Sequence, residues 1–236
     1  MSYLDCFSGY DLRRTEIACG IFSVAQLTGV VFVISYSSYF FELTGLSPSS
    51  SFSISGGVSV FNLVDVICSW FLINRAGRRS TTIVGISILT ILLFLIGILD
   101  ILPSTHRGAT GPVYGQVICI IVFTFVYLGS IGPIGYALFA EISSSRLRSR
   151  TIGLGIVAQN VFGILMNIVV PLLINPDAAN LRGKMGFIFG GTSVLALVWV
   201  YMRVPETAHR KFEELDWLFE HRVPARKFKG TVLGAG

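Results

Sequence analysis

Long apolar runs, separated by short polar segments, dominate this chain. There are six of them, at residues 20–41, 52–73, 81–102, 116–140, 152–174 and 185–201. About 20 apolar residues in an α-helix cross a bilayer core of about 30 Å. Backbone groups in lipid must be satisfied internally, which a helix achieves. The pattern therefore predicts an all-α membrane protein with six transmembrane helices.

The composition supports a membrane protein. Hydrophobic residues make up 53% of the chain and charged residues 13%, about half the charged share of soluble proteins. We expect a lead-in at residues 1–19, a transmembrane domain at 20–202 and a tail at 203–236. The lead-in carries charges and no apolar core, unlike a secretory signal.

The distribution of basic residues predicts the orientation. Fifteen of the eighteen Lys and Arg residues fall on the side of both termini, which the positive-inside rule places in the cytosol. The net charge of +5 then reflects topology, and we expect no nucleic-acid partner. Six helices with both ends on one side fit half of a larger carrier.

Catalytic and metal-binding motifs are not evident in the sequence. The four cysteines lack CxxC or Cys/His spacing, so neither a disulfide nor a zinc site is predicted. No nucleophile–base set or phosphate loop appears. We therefore expect no cofactor, no metal and no enzymatic activity.

A polar and aromatic stripe is predicted on the first helix. Gln26, Gly29, Val33, Tyr36 and Phe40 recur at spacings of three and four, which places them on one face. An amide and an aromatic ring suit the hydroxyls and the apolar face of a sugar. The alternative is that Gln26 bonds a neighbouring helix.

The fourth helix carries residues that weaken helices. Gly129, Gly132, Pro133 and Gly135 precede Tyr136, and they predict a bend or unwound point. Such a point lines a cavity in transporters. Close helix packing explains the same residues equally well.

The fifth helix repeats the polar pattern. Asn160, Gly163, Asn167 and Pro171 share a face, with Gln159 beside it. Amides there can bind polyols or bridge helices, and small residues also permit close packing.

Asp65 is the single acid well inside an apolar run. A carboxylate there costs about 2.5–3.5 kcal/mol on insertion scales, so a function is the default hypothesis. It is a candidate proton carrier or sugar ligand. The alternative is a structural acid that is protonated or paired near the cytosolic side, where Arg75 follows.

Charges cluster at the predicted cytosolic helix ends. Glu141 ends the fourth helix and precedes Arg146 and Arg148, while the loop between helices two and three offers Arg78 and Arg79. Such pairs can latch one state of an alternating-access carrier. The positive-inside rule explains the arginines but not Glu141. In the tail, an apolar stripe of Phe212, Leu215, Leu218 and Phe219 predicts a short amphipathic helix.

Several segments in order resemble the sugar porter family of the major facilitator superfamily, of the fungal α-glucoside and hexose permease type. They are Arg13-Arg14-Thr15-Glu16, Gln26-x-x-Gly29 with Tyr36-x-x-Tyr39-Phe40, Ser69-Trp70 with Gly77-Arg78-Arg79, Gly132-Pro133-Ile134 with Glu141 and Arg148, Pro205-Glu206-Thr207, and Phe212-Glu213-Glu214-Leu215-Asp216. Each segment alone is weak, but the ordered set is specific. The resemblance covers Asp5 to about Phe228 and implies helices seven to twelve of a twelve-helix carrier.

The resemblance implies roles for particular residues. Positions that contact sugar in the family correspond here to Gln26, Tyr36, Tyr136, Gln159 and Asn160. The family's cytosolic charge network corresponds to Arg78, Arg79, Glu141 and Arg148, which Glu206 is expected to join. Ala25 and Val31 depart from the family's usual Gln and Asn, which implies a changed substrate preference.

The resemblance also implies an activity. We expect transport of a hexose or an α-glucoside such as maltose by alternating access, with proton coupling in the intact parent, in the plasma membrane. The N-terminal six-helix half is missing, so this chain alone is expected to be inactive. The alternatives are a non-transporting sugar sensor, a helix-pairing partner of a full-length permease, or a carrier of other polyols or acids.

Overall fold

The computed structural model describes residues 3–43, 47–101, 111–144, 146–208 and 210–230, and within these ranges every regular element is helical. The α-helices are α1 (Asp11–Leu27), α2 (Ser37–Leu43), α3 (Pro48–Ala76), α4 (Arg78–Ile101), α5 (Gly111–Gly129), α6 (Ile131–Ile142), α7 (Arg148–Ile174), α8 (Met185–Arg203) and α9 (Phe212–Glu220). A π-helical turn, Val31–Ser35, lies between α1 and α2.

Five stretches in these ranges are long and apolar enough to cross a membrane: Pro48–Ile67, Arg78–Ile101, Tyr114–Ile142, Arg148–Ile174 and Arg182–Arg203. The prediction of an all-α, multi-pass membrane protein is confirmed. The count of six is met only approximately, because the first predicted span is not one continuous helix.

The first span is interrupted at Gly29. This residue has φ +79° and follows the end of α1, where its N–H donates to the Gln26 carbonyl at 3.3 Å. A glycine in the left-handed region is the usual way to end a helix. A Cβ at this position would lie 3.0 Å from Cβ of Phe189 on α8. The chain continues as the π-helical turn and α2. Residues before and after Gly29 therefore do not share one continuous helical face.

The bend predicted in the fourth span is present. Helix α5 ends at Gly129 and α6 begins at Ile131, with Ser130 between them at φ −127° and ψ −80°. Pro133 has no N–H to donate to the Gly129 carbonyl, so the series of backbone hydrogen bonds of an α-helix is interrupted at this point.

The loop predicted between the second and third apolar runs, residues 74–80, is shorter than the sequence indicated. Gly77 alone separates α3 from α4, because both helices continue beyond the apolar runs that mark the bilayer. Its φ of +82° provides the sharp turn, in a region that glycine adopts without steric cost.

Helix α4 shows how the bundle divides its surface. Ile86, Leu89, Leu93 and Ile96 are fully buried, whereas an opposite row is exposed: Val84, Ile88, Ile91, Leu95 and Ile98. Both rows follow the helical period, so one faces protein and the other faces lipid. The inner row packs on α8, where a Cβ at Gly186 would collide with the Leu93 carbonyl.

The amphipathic tail helix is α9, and it docks on the bundle. Leu215, Leu218 and Phe219 are buried as predicted, but Phe212 is 49% exposed. Phe212 is the first residue of α9, so it lies at the rim of the contact rather than in it.

Candidate functional site

A polar surface lies where α1 approaches α7. The Nε2 atom of Gln26 is 3.9 Å from the point that a Cβ on Gly163 would occupy. The Oε1 atom of Gln26 is buried and accepts no hydrogen bond from the described residues. A buried acceptor without a donor is costly, so this amide oxygen requires a further polar group.

Tyr36 reaches α7 through a carbonyl that a proline leaves unpaired. Pro171 lies inside α7 and has no N–H for the Asn167 carbonyl four residues earlier. The Tyr36 hydroxyl donates to that carbonyl at 3.5 Å. Nearby, the Tyr39 hydroxyl donates to Oδ1 of Asn175 at 2.9 Å. These bonds hold the segment after the break against α7.

The asparagines of α7 lie on its open side. Asn160 and Asn167 are both exposed. Each uses Nδ2 to donate to a carbonyl one turn earlier, that of Ile156 at 2.9 Å and that of Gly163 at 2.8 Å. These bonds hold both side chains along the helix. Gln159 is partly buried beside them.

Tyr136 adds an aromatic ring from α6. It is 58% exposed and packs edge-on against Phe22, with ring centroids 5.2 Å apart. Phe22 and Gln26 are one turn apart on α1, so Tyr136 and Gly163 border the same side of that helix. The structure thus collects Gln26, Tyr36, Tyr136, Gln159 and Asn160 along α1, the segment after its break, α6 and α7. We call these five residues the polar face.

The predicted stripe on the first helix is only partly correct. Gly29 is turned toward Phe189, and Val33 is 1% exposed in the core. The side chain of Phe40 lies outside the described residues. The break at Gly29 changes the helical phase, which is why Gln26 and Tyr36 face α7 while the residues between them do not. The departures Ala25 and Val31 are also buried.

Asp65 lies against the break between α5 and α6. Its carboxyl is 2% exposed, and Oδ1 is 3.0 Å from the position of a Cβ on Gly129. Oδ2 has no hydrogen-bond partner among the described residues. Arg75 is exposed and forms no ion pair with Asp65 within the described part of the chain, so the predicted pairing is not observed.

A charge network joins three segments at one end of the bundle. Nη2 of Arg78 donates to Oε1 of Glu141 at 3.0 Å. Glu206 caps the start of α4, accepting from the backbone N–H groups of Arg78 at 2.8 Å and Arg79 at 3.2 Å. A carboxylate at a helix N-terminus is favourable, by about 0.3–1 kcal/mol at exposed sites. We call this end, which carries Arg78, Arg79 and Arg148, the basic end.

The other two predicted network arginines have different contacts. Nη2 of Arg79 donates to the Tyr201 carbonyl at 2.8 Å, which ties α4 to the end of α8. Arg148 is exposed and stands 5.6 Å from the centroid of the Phe212 ring. Among the described residues Arg148 forms no ion pair with Glu141, so the structure places it at the contact between α7 and α9.

Sequence reasoning missed several members of this end. The Thr207 hydroxyl donates to Oε2 of Glu141. Arg14 is 2% exposed, and its Nη1 forms an ion pair with Oδ1 of Asp216 at 2.6 Å. This ion pair connects α9 to the start of α1. Thr207 and Arg14 both stand in motifs that carried the resemblance, and that was the available signal.

Asp11 was also missed. Its carboxyl is 5% exposed and lies 3.9 Å from Arg146. Burial raises the pKa of Asp11 above its ordinary 3.8, against the opposing charges of Arg14 and Arg146. No group of three or more His, Cys, Asp or Glu side chains in the described ranges is placed to bind a metal ion.

Comparison with known proteins decides the family. The sequence model described as "Sugar (and other) transporter" matches residues 1–219. The chain belongs to this family. Its curated relatives include the general alpha-glucoside permease of Saccharomyces cerevisiae (strain ATCC 204508 / S288c), 34% identical over 234 residues, and the maltose permease MAL31 of the same strain, 35% identical over 233 residues.

The match covers 98% of this chain but 37% of each of those two permeases. The chain thus spans less than half of the relatives it matches. These members of the family are permeases rather than enzymes, in agreement with the expectation from sequence.

Solved structures share the fold. A double-tryptophan mutant of XylE gives a TM-score of 0.77 over 89% of this chain and 43% of that one, at 22% identity. The proton:xylose symporter XylE bound to 6-bromo-6-deoxy-D-glucose gives 0.74 over 87% and 42%, also at 22% identity. The bundle therefore has the architecture of part of a major facilitator carrier.

Proposed function

We propose that this chain is the C-terminal six-helix half of a carrier that moves a hexose or an α-glucoside such as maltose by alternating access. The polar face, in which Tyr136 and Asn160 are exposed, carries this proposal. The outward row of α4 is apolar, whereas amides and a tyrosine cannot face hydrocarbon without cost. They face water and a second wall instead.

Each residue of the polar face has a role suited to a sugar. The Oε1 atom of Gln26, which has no donor among the described residues, would accept from a hydroxyl, and the amides of Asn160 and Gln159 offer further bonds. Tyr36 and Tyr136 present rings to the apolar face of a pyranose. The permeases that resemble the chain support the α-glucoside as substrate.

The charge network serves as the latch of the transport cycle. Arg78, Arg79, Glu141 and Glu206 connect the α3–α4 turn, the end of α6 and the tail, and Arg148 extends the contact to α9. Breaking these bonds would release one state for the other. Asp65, buried at the helix break, is the candidate proton-binding acid of this half, or a structural acid.

The remaining features follow from this assignment. Residues 20–202 form the transmembrane half, and residues 1–19 and 203–236 lie in the cytosol with the basic end. We place the carrier in the plasma membrane, with the lipid bilayer around the apolar rows and a six-helix N-terminal half against the polar face. Without that half the polar face has no opposing wall to enclose a sugar, so the chain alone is inactive.

Complementation tests this proposal. The chain is expressed in yeast cells that lack hexose and α-glucoside permeases, alone or together with the N-terminal half of the general alpha-glucoside permease. Uptake of labelled maltose and glucose is measured at two external pH values. We expect uptake only when both halves are present, greater at the lower pH, and inhibited by competing sugars.

Three results would count against the proposal. Uptake by the chain alone would show that it needs no second half. No uptake with both halves at the cell surface and co-purifying would favour a partner or sensor. Uptake inhibited by organic acids and not by sugars would change the substrate class.

A further inference from the structure

A cavity lies at the basic end, away from the polar face. It has a volume of about 290 Å³ and is formed where the start of α1, the end of α8 and the turn after α9 meet. The lining includes Tyr10, Leu12, Arg13, Glu16, Arg203 and Arg222. The volume is just below the about 300–1,000 Å³ typical of small-molecule sites. Nothing in the proposed transport cycle uses this cavity.

The lining is unbalanced in charge. Three guanidinium groups face one carboxylate, and that carboxylate, Glu16, lies 3.4 Å from Nε of Arg203. Burial, and then the positive charge of Arg203, lower the pKa of Arg13 below its ordinary value. The protein thus gathers positive charges that repel one another, and a bound anion would relieve the repulsion.

Arg222 is held at the cavity by an unusual backbone. It follows α9 in a Schellman turn, in which its N–H donates to the Phe219 carbonyl and the Val223 N–H donates to the Leu218 carbonyl, both at 3.1 Å. Its φ is +52°. Glycine is the residue that suits this position, yet an arginine occupies it. Its guanidinium forms no ion pair within the described part of the chain.

In the orientation proposed above, on which this step rests, the cavity lies at the depth of lipid headgroups. Arg203 is the last residue of α8, whose span is one of those able to cross a membrane. Tyr10 and Leu12 are 38% and 48% exposed at the rim. Basic groups at the cytosolic end of a membrane helix attract anionic lipid, and tyrosine is enriched at that level.

We propose that this cavity binds a phosphate-bearing anion, with Arg203 and Arg222 as its principal ligands. The guanidinium fork matches phosphate oxygens two at a time. Arg13 contributes positive charge but has fewer N–H groups to donate to the anion, because its Nη1 already donates to the Val223 carbonyl at 2.7 Å. The phosphate belongs either to a lipid headgroup or to a soluble phosphate ester.

The test is a binding titration of the full chain, purified in a neutral detergent, at fixed ionic strength. The probes are short-chain phosphatidylinositol 4-phosphate, its free inositol bisphosphate headgroup and inorganic phosphate. We expect Arg203→Gln and Arg222→Gln each to weaken binding about fivefold, which corresponds to about 1 kcal/mol per arginine. Glu16→Gln should tighten binding, because it removes the carboxylate that competes with the anion.

Arg226→Gln is the matched control. Arg226 is exposed near the same end, 4.5 Å from the centroid of the Tyr201 ring, and does not line the cavity. Its loss should leave the dissociation constant within twofold. A general loss of fold would weaken every variant, whereas the proposed site predicts opposite signs for Arg222→Gln and Glu16→Gln together with no effect of Arg226→Gln.

The proposal is overturned if no probe binds, if Arg226→Gln weakens binding as much as Arg222→Gln, or if Glu16→Gln fails to tighten it. Equal binding of the lipid and its free headgroup supports the site and assigns the phosphate ester alone as ligand. Binding of the lipid alone supports it too and shows that the acyl chains contribute. The readout does not depend on sugar transport.

Discussion

At the scale of single residues, Gln26 tests the polar face. Its Oε1 is buried and has no donor among the described residues, while its Nε2 points to α7. A sugar hydroxyl would complete its bonding. In the two-half carrier, Gln26→Ala should raise the KM for sugar about three- to tenfold, the equivalent of one ordinary hydrogen bond. Uptake kinetics at matched surface expression provide the measurement.

Gln116→Ala is the control for that substitution. Gln116 is equally an amide within the membrane, but its Nε2 donates to the Ile96 carbonyl at 3.5 Å and to Asp100 at 3.4 Å, away from the polar face. Its loss should lower stability and leave the KM unchanged. If both variants, or neither, altered the KM, Gln26 would not belong to the sugar site.

Asp11 gives the basic end a pH dependence. Burial raises its pKa above 3.8 in the folded chain, so the folded state binds the proton more tightly than the unfolded state. Its contribution to stability is therefore greatest below about pH 4 and declines as the pH rises through the folded pKa. In Asp11→Asn this decline should disappear. The difference in melting temperature between the unsubstituted chain and Asp11→Asn should therefore change between pH 4 and pH 8. An unchanged difference across that range would contradict the assignment.

At the scale of elements, the α3–α4 turn depends on Gly77. A Cβ there would lie 2.7 Å from Oε2 of Glu206, and the φ of +82° disfavours any other residue. Gly77→Ala should destabilise the bundle by about 1–3 kcal/mol and displace the Glu206 cap from α4. Thermal unfolding in detergent measures the loss.

Gly57→Ala is the control within α3. In the described part of the chain, no atom outside the helix's own neighbouring backbone lies within 4 Å of a Cβ at Gly57. Alanine should therefore be neutral there or stabilising by up to about 1 kcal/mol. Equal melting temperatures for the two variants would show that the contact between Gly77 and Glu206 contributes little.

The same elements show what periodicity can and cannot predict. The apolar runs located α3, α4, α7 and α8 because each is a continuous helix with a lipid-facing row. They failed over the first span, where Gly29 adopts a positive φ against Phe189. A single residue changes the helical phase there, and hydropathy does not register it. Pro133 and its neighbouring glycines did predict the break between α5 and α6, because proline always removes one backbone hydrogen bond from a helix.

Long-range pairing lay beyond sequence patterns altogether. Arg14 and Asp216 are 202 positions apart, and only the docking of α9 brings them together at 2.6 Å. The motif resemblance identified Glu141 and Glu206 as partners of the arginines, but not their separate tasks. Glu141 forms the ion pair with Arg78, and Glu206 caps the helix that begins there.

At the scale of the whole molecule, the bundle has two kinds of outer surface. The outward row of α4 is wholly apolar and suits lipid. The open side of α6 and α7 exposes Tyr136, Asn160 and Asn167, which hydrocarbon would penalise. The proposed N-terminal half would cover that side, and the permeases that match the chain are longer by more than half their length.

This asymmetry predicts the size of the working polypeptide. An antibody raised against residues 210–229 should detect a native band at least about twice the 25.7 kDa of the chain, as two six-helix halves require. Cells that express the 236-residue chain alone provide the size standard. A native band at that standard would mean that the second half, if used at all, is supplied by another polypeptide. Cross-linking through a cysteine placed at Asn160 would then capture that partner, because the exposed amide lies on the side that must be covered.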